Sequence, residues 1–471
     1  MRDIESWVGG ASLAAQSTDW SAVCSPVTGE QVTRVAMAGS TEVDTAVAAA
    51  KSAGQIWSAM SATQRGRILT RIATALRERA DDFIDAECAE TGKVRAEMAG
   101  SLETAAEYFE YYGSVCRAFF GDGLDLGAAQ HAFTRREPFG VVGIITPWNG
   151  PLTQAARGAA AALAAGNCVV MKPATFTSTT TVMLARLCEE HGLPPGVFNV
   201  VTGSGRSVGE PLVTHPDVAL VAFTGSVETG RTVASMAAHA LKPTIMELGG
   251  KSPNIVFEDA DLDRAALSAT TIRLSTGQQC AALSRLLVSE AVAEQVTAKV
   301  VNILEKYIPG VNLGPVTTAS QYAKVVEYFG IAADDGAQLR LGGSAATDGD
   351  LAKGYFVEPT VYSGVTADMR IFREEIFGPV LAISTFRDEA EAIRLANDSE
   401  FGLVASVWTR DASRALRVAS AIKAGQVMVN GGKTGVETPF GGYKASGWGR
   451  EKGFDALSGY TQLKTTVINL D

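Results

Sequence analysis

VVGIITPWNGPLTQAARGAAAALAAGNCVVMK, residues 141–172, reads as strand, helix, strand. Residues 141–146 are a short apolar run of the kind that suits a strand covered on both faces. Residues 147–150 break that strand, 152–165 suit a helix, and 168–172 form a second apolar strand. The alternation continues downstream, with a helix over 177–191, a strand over 197–201 and a helix near 206–213. Strands over 220–223 and 244–247 then flank a helix over 228–240. Short strands alternating with helices predict a parallel sheet with helices on both sides. Upstream, apolar residues recur at helical spacing within 41–118, and the glycine-containing segment 119–138 suits a hairpin. A second α/β block spans 249–445, with strands expected at 254–257, 285–288, 380–385, 405–408 and 426–429. The tail 460–470 alternates and is rich in Thr and Val. Such a strand either completes a sheet or crosses to another subunit.

The bulk numbers narrow the classes. A chain of 471 residues suggests about three folding units. With 46% hydrophobic and 20% charged residues it can bury large cores. A net charge of −10 repels phosphate backbones and argues against a nucleic-acid partner. The six cysteines, at 24, 88, 116, 168, 188 and 280, form no CxxC pair, and the four histidines lie far apart, so neither a disulfide framework nor a metal site is expected. Residues 1–10 lack a signal-peptide pattern, and no apolar run reaches the ~18 residues of a membrane span, which points to the reducing cytoplasm.

Four short stretches carry chemistry. Gly277-Gln278-Gln279-Cys280 puts a thiol beside a residue that permits a tight turn, although an isolated cysteine is more often a small buried hydrophobe. Met246-Glu247-Leu248-Gly249-Gly250-Lys251 puts a carboxylate at a strand end, where it can serve as a base or merely cap a helix. Pro147-Trp148-Asn149-Gly150-Pro151 offers an amide to a developing oxyanion, or is ordinary turn chemistry. Lys172-Pro173 and Phe223-Thr224-Gly225-Ser226 lie where strands hand over to helices, and glycine there lets backbone N–H groups approach a pyrophosphate. Gly203, Gly205 and Gly209 do not have GxGxxG spacing and are set aside as a decoy.

Taken together and in this order, the stretches resemble the aldehyde dehydrogenase superfamily, and the likeness covers nearly the whole chain. Glu90-Thr91-Gly92-Lys93, Gly354-Tyr355-Phe356, Glu374-Glu375-Ile376-Phe377-Gly378-Pro379 and Pro439-Phe440-Gly441-Gly442 strengthen it. The resemblance implies a non-acylating enzyme that uses NAD or NADP to oxidise a small-molecule aldehyde. Cys280 would be the nucleophile, Glu247 the general base, and Asn149 with the Cys280 N–H the oxyanion hole. Lys172, Thr175, Gly225, Ser226, Glu375, Phe377 and Trp148 would line the dinucleotide site. The implied architecture is α/β: a Rossmann-like dinucleotide-binding domain (1–118 and 139–248), an α/β catalytic domain (249–445), and a small β bridging element for oligomerisation (119–138 and 446–471). The last would pair across subunits in a homodimer or homotetramer.

Departures from the family pattern bear on cofactor and substrate. Thr175 stands where NAD-preferring members often carry Glu, so a 2′-phosphate is not repelled. Gly158 replaces a lysine that the family links to a glutamate matched here by Glu451. Gly150 replaces a phenylalanine and leaves room for a ring-bearing aldehyde. Arg157 stands where semialdehyde-type and some aromatic-aldehyde members carry arginine, either to clamp a substrate carboxylate or to form a salt bridge in the cleft wall. Arg157, Gly150 and Phe440 are therefore the candidate substrate residues. Two rival readings are a coenzyme-A-acylating semialdehyde dehydrogenase, against which Glu247 argues, and a catalytically silent structural member. Intact Cys280, Glu247 and Asn149 argue against the latter.

Overall fold

Two parallel sheets dominate the computed structural model, which describes residues 2–127 and 129–470; Met1, Ala128 and Asp471, each inside an expected segment, fall outside the described residues. The first sheet has five parallel strands in the order Thr244–Glu247, Leu220–Thr224, Val141–Ile145, Cys168–Lys172, Phe198–Val200. The antiparallel strand Gly447–Trp448 closes one side, and Ser6–Val8 with Ala11–Leu13 extends the other. The central strands are buried along nearly their whole length, as uninterrupted apolar runs require. Helix Pro151–Ala164 is buried except at Thr153 and Gln154, and its alanines let neighbouring helices approach closely. Trp57 packs there with its indole N–H on the Leu163 carbonyl at 3.1 Å.

The second sheet runs Gln338–Leu341, Thr360–Ser363, Val380–Phe386, Arg285–Ser289, Pro253–Val256, Val404–Trp408, Gln426–Val429. All neighbours are parallel except Gln338–Leu341, which is antiparallel at the edge. A third, three-stranded sheet is made of Gly123–Asp125, Gln130–Pro138 and Thr461–Asn469.

The structure corrects the sequence reading at three places. The tail strand pairs within its own chain, in unbroken register from Thr461 opposite Pro138 to Asn469 opposite Gln130. The first part of the segment 446–471 does not join that small sheet: Gly447–Trp448 pairs with Thr244–Glu247, because the chain crosses the end of the first sheet before reaching the tail. Residues 2–36, where the sequence reading assigned no element, form five short strands, two of which, Ser6–Val8 and Ala11–Leu13, extend the first sheet.

Candidate active site

Strand order reverses at Val141–Ile145: the next two strands add on one side of it and Leu220–Thr224 and Thr244–Glu247 on the other. At such a switch point the carboxyl ends of adjacent strands diverge and leave a crevice. Trp148 and Asn149 leave one side of it, and Gly225 and Ser226 the other. Ser226 caps helix Val227–His239 by accepting from the Thr229 N–H at 3.3 Å, so the amides of a helix start open on the crevice. One wing, enclosing about 1040 Å³, brings Lys172, Gly225 and Ser226 together. Lys172 is buried, which pulls its ammonium down to about 8, and it donates to the Pro173 carbonyl at 2.8 Å. Thr175 stands beside this wing and donates its hydroxyl to the Gly203 carbonyl at 3.0 Å.

The glycines set aside as a decoy belong here. Gly205 and Gly209 line the same wing, and a Cβ on Gly209 would come within 3.7 Å of Lys172 Cδ. They flank a π-turn, Gly205–Gly209, after strand Phe198–Val200, so the wall comes from the neighbouring βα loop and needs no GxGxxG spacing. Arg206 and Thr229, which the sequence reading did not single out, line it too.

The other wing, about 630 Å³, is where Asn149, Glu247 and Cys280 converge from three separate elements. Glu247 is the last residue of its strand, held between a parallel and an antiparallel neighbour, and neither carboxylate oxygen has a hydrogen-bond partner in the protein. Cys280 follows a turn with three successive left-handed residues, Ser275 (φ 49°), Thr276 (φ 54°) and Gly277 (φ 71°). A β-branched residue there is costly, on the order of 1–3 kcal/mol, and Gly277 is obligatory because a Cβ would lie 2.0 Å from the Gly378 carbonyl oxygen. Side chains over-determine the turn: Thr276 donates to the Gly314 carbonyl at 2.8 Å, and Gln278 accepts from the Thr317 N–H at 2.8 Å. Asn149 Nδ2 donates to the Gln278 carbonyl at 2.9 Å, which ties the amide to the turn just before Cys280.

Glu375 Oε1 accepts from the Gly250 N–H at 2.9 Å, and a Cβ on Gly249 would meet its Oε2 at 2.2 Å, so the glycine pair seats this carboxylate. Phe377, itself left-handed at φ 60°, meets Trp148 edge to face with ring centroids 5.6 Å apart. Gln154, Gln321 and Lys324 also line this wing; the sequence offered no motif to mark the last two.

The aldehyde dehydrogenase family model matches residues 13–466. A betaine aldehyde dehydrogenase of Staphylococcus aureus, solved with NAD+ and a BME-modified cysteine, is 34% identical at a TM-score of 0.96, over 99% of this chain and 97% of that one. An NAD-dependent aldehyde dehydrogenase of Sinorhizobium meliloti is 39% identical at a TM-score of 0.97, over 99% and 95%. PnpE, solved with nicotinamide adenine dinucleotide, is 36% identical at 0.97, over 99% and 98%. The chain belongs to the aldehyde dehydrogenase family. It is an NAD(P)-dependent oxidoreductase acting on aldehydes, and its fold is the family's α/β fold. Among the described residues no helix is long and apolar enough to cross a membrane, and no cluster of His, Cys, Asp or Glu is arranged to hold a metal.

In this aldehyde dehydrogenase the chamber that gathers Cys280, Asn149 and Glu247 is desolvated. Cys280 opens on the cleft, yet the protein around its thiol pushes it up to about 11, chiefly by burial; Arg157 opposes that and Glu247 and Glu375 add to it. Burial, reinforced by the charge of Glu451, holds Glu247 well above the usual carboxylate range.

Arg157 does not line the cleft. It is ion-paired with Glu451, the two side chains 8% and 5% exposed, and its guanidinium lies 5.5 Å from the Phe440 ring centre. Burial works against the arginine's charge and is the largest single influence, but Glu451 together with Tyr108, Glu247 and Cys280 outweighs it and keeps the group protonated. Of the two roles left open for Arg157, a carboxylate clamp or a salt bridge in the cleft wall, the structure holds the salt bridge. Gly158 supplies no cation, and a buried Glu451 needs one. Phe440 packs with Leu283, Leu403 and Val404 against Cys280, and Gly150 caps helix Pro151–Ala164 with no side chain of its own.

Proposed function

We propose that the chain oxidises a neutral, bulky or ring-bearing aldehyde to its acid through a covalent adduct on Cys280. The observation that carries this is the convergence of Cys280, Asn149 and Glu247 in one chamber beside the dinucleotide crevice. Cys280 adds to the carbonyl carbon as its thiolate, the S–H proton having passed to solvent, and the oxygen, becoming an oxyanion, is received by Asn149 Nδ2 and the Cys280 N–H. The bound dinucleotide supplies the hydride acceptor. Glu247 then takes a proton from the water that cleaves the thioester. Its presence favours hydrolysis over transfer to coenzyme A.

Arg157 is spent on Glu451, and Lys324, which lines the chamber, donates to the Glu375 carbonyl at 2.8 Å. These engagements favour substrates without a carboxylate, and Gly150 leaves space for a ring. The betaine aldehyde of the Staphylococcus relatives is cationic, and Arg157 with Lys452, whose Nζ lies 5.6 Å from the Phe440 ring centre, would repel it. A second reading, an aldehyde with an anionic tail, rests on Lys452 alone. It is half-buried over Phe440, with no hydrogen bond or ion pair holding it.

Thr175 in place of a carboxylate, with Arg206 in the same cleft, supports acceptance of NADP. Residues 1–118 and 139–248 are read as the dinucleotide-binding domain and 249–445 as the catalytic one. The small sheet is read as the oligomerisation element of a cytoplasmic dimer or tetramer. Dinucleotide reduction across aliphatic, aromatic, cationic and carboxylate-bearing aldehydes, with NAD and NADP, tests substrate and cofactor together. An aromatic or bulky neutral aldehyde is expected to lead. Preference for carboxylates abolished by Lys452→Met establishes the second reading instead, and a preference for NAD above about a hundredfold, ~2.8 kcal/mol, removes the NADP reading. Cys280→Ala is expected to be inactive with dinucleotide binding intact; activity equal to the parent defeats the mechanism.

A further inference from the structure

The side chains that hold Asn149 and the Cys280 turn in register come from neither parallel sheet. Helix Ala80–Thr91, the turn at 92–94 and the start of helix Arg95–Val115 carry Glu87, Lys93 and Glu97. Lys93 is 7% exposed, and its Nζ donates to the backbone carbonyl of Asn149. Glu87, 2% exposed, accepts from the Leu152 N–H at 3.3 Å in the first turn of the helix that Asn149 leads into. Glu97 accepts the Ser275 N–H on both oxygens, at 3.2 and 3.1 Å, at the start of the left-handed turn before Cys280. The same segment reaches the far side of that turn, where Thr317 donates to the Thr91 carbonyl at 3.3 Å and its own N–H holds Gln278.

We propose that Lys93 and Glu97 are positioning residues: Lys93 fixes the Asn149 peptide, Glu97 fixes the Cys280 turn, and together they set the spacing between the two oxyanion donors. The proposal rests on the catalytic reading of Asn149 and Cys280 above. Asn149 comes from the first sheet and Cys280 from the second block, so their separation is not set by either sheet's own register. A short segment tied to both ends by charge-assisted hydrogen bonds, buried at Lys93 and part-buried at Glu97, sets it directly. Apolar packing of similar volume would be less costly than buried ions, so keeping charges here gives up stability in exchange for geometry. An oxyanion hole is sensitive to such spacing, because its donors must meet the oxygen at 2.7–3.1 Å.

The test compares Lys93→Met, Glu97→Gln and Asn149→Ala in the full-length protein. For Lys93→Met, kcat for aldehyde oxidation and for hydrolysis of an activated ester should fall together, by about tenfold to a hundredfold. KM for the dinucleotide and the thermal midpoint should hold, and alkylation of Cys280 by iodoacetamide, which develops no oxyanion, should stay within about twofold. Glu97→Gln should show the same pattern more weakly, and it decides alone if Lys93→Met does not fold. Unchanged kcat in these variants, or loss of alkylation and dinucleotide binding in parallel with kcat, overturns the proposal. Full activity in Asn149→Ala defeats the underlying catalytic reading; an inactive Asn149→Ala beside fully active Lys93 and Glu97 variants defeats only the positioning role.

Discussion

A thiol held at about 11 is almost wholly protonated at neutral pH. Because the thiolate fraction rises about tenfold with each unit by which pH climbs toward that value, alkylation of Cys280 in the cofactor-free enzyme should increase steadily through the alkaline range. A plateau near ~8.5, the ordinary thiol range, would show that the desolvation argument is wrong. Glu247 acts, in the proposed scheme, after the hydride has left. In Glu247→Gln, a first-turnover burst of reduced dinucleotide should survive while steady-state turnover drops by about 10²–10⁴-fold. Rapid-mixing absorbance separates the two, and loss of the burst itself would move Glu247 to the addition step. At this scale the motifs Gly277–Cys280, Met246–Lys251 and Pro147–Pro151 were readable because the proposed catalytic residues sit on turns with strong local signatures. Arg157 was not. Its neighbour Gly158 pointed toward Glu451, almost three hundred residues away, but only the contact between Arg157 and Glu451 decides which of two roles the arginine takes.

Helix Ala80–Thr91 buries Glu90 as well as Glu87, and burial pushes Glu90 up to about 7 despite hydrogen bonds from Thr179. Because the folded value lies above the ordinary 4.5, the protonated form is favoured by folding. Stability from this group is complete below the unfolded value and is lost as pH rises through about 7. Glu90→Gln, neutral at every pH, should melt above the parent near pH ~8 and level with it near pH ~4. A variant less stable at both would mean that ionised Glu90 is stabilised by its surroundings. Among elements, the buried strands of both sheets and the long helices were legible from apolar runs and helical spacing. The short strands Ser6–Val8, Gln338–Leu341 and Thr360–Ser363 were not expected. Two or three short strands gain their structure from the neighbour they pair with, and periodicity over 3 or 4 residues carries little signal.

Over the whole molecule, the small sheet leaves strand Thr461–Asn469 at an edge, with Leu463, Val467 and Ile468 exposed. A nine-residue edge strand with exposed apolar side chains is a template for pairing. Light scattering at micromolar concentration should find a dimer or tetramer, and Leu463→Lys with Val467→Lys should yield a smaller species; a monomeric parent would contradict the reading. The sequence by itself determined the alternating α/β plan, the thiol, carboxylate and amide of the site, and the family, because each is written in local periodicity or in a contiguous motif. Tertiary structure alone decided that the tail pairs in its own chain, that Gly205 and Gly209 wall the dinucleotide crevice, that Arg157 faces Glu451, and that Lys93 and Glu97 tie Asn149 to the Cys280 turn. Each of these depends on segments far apart in the chain meeting in a packed interior, where burial favours partnered polar groups and the fold determines which partner is within reach.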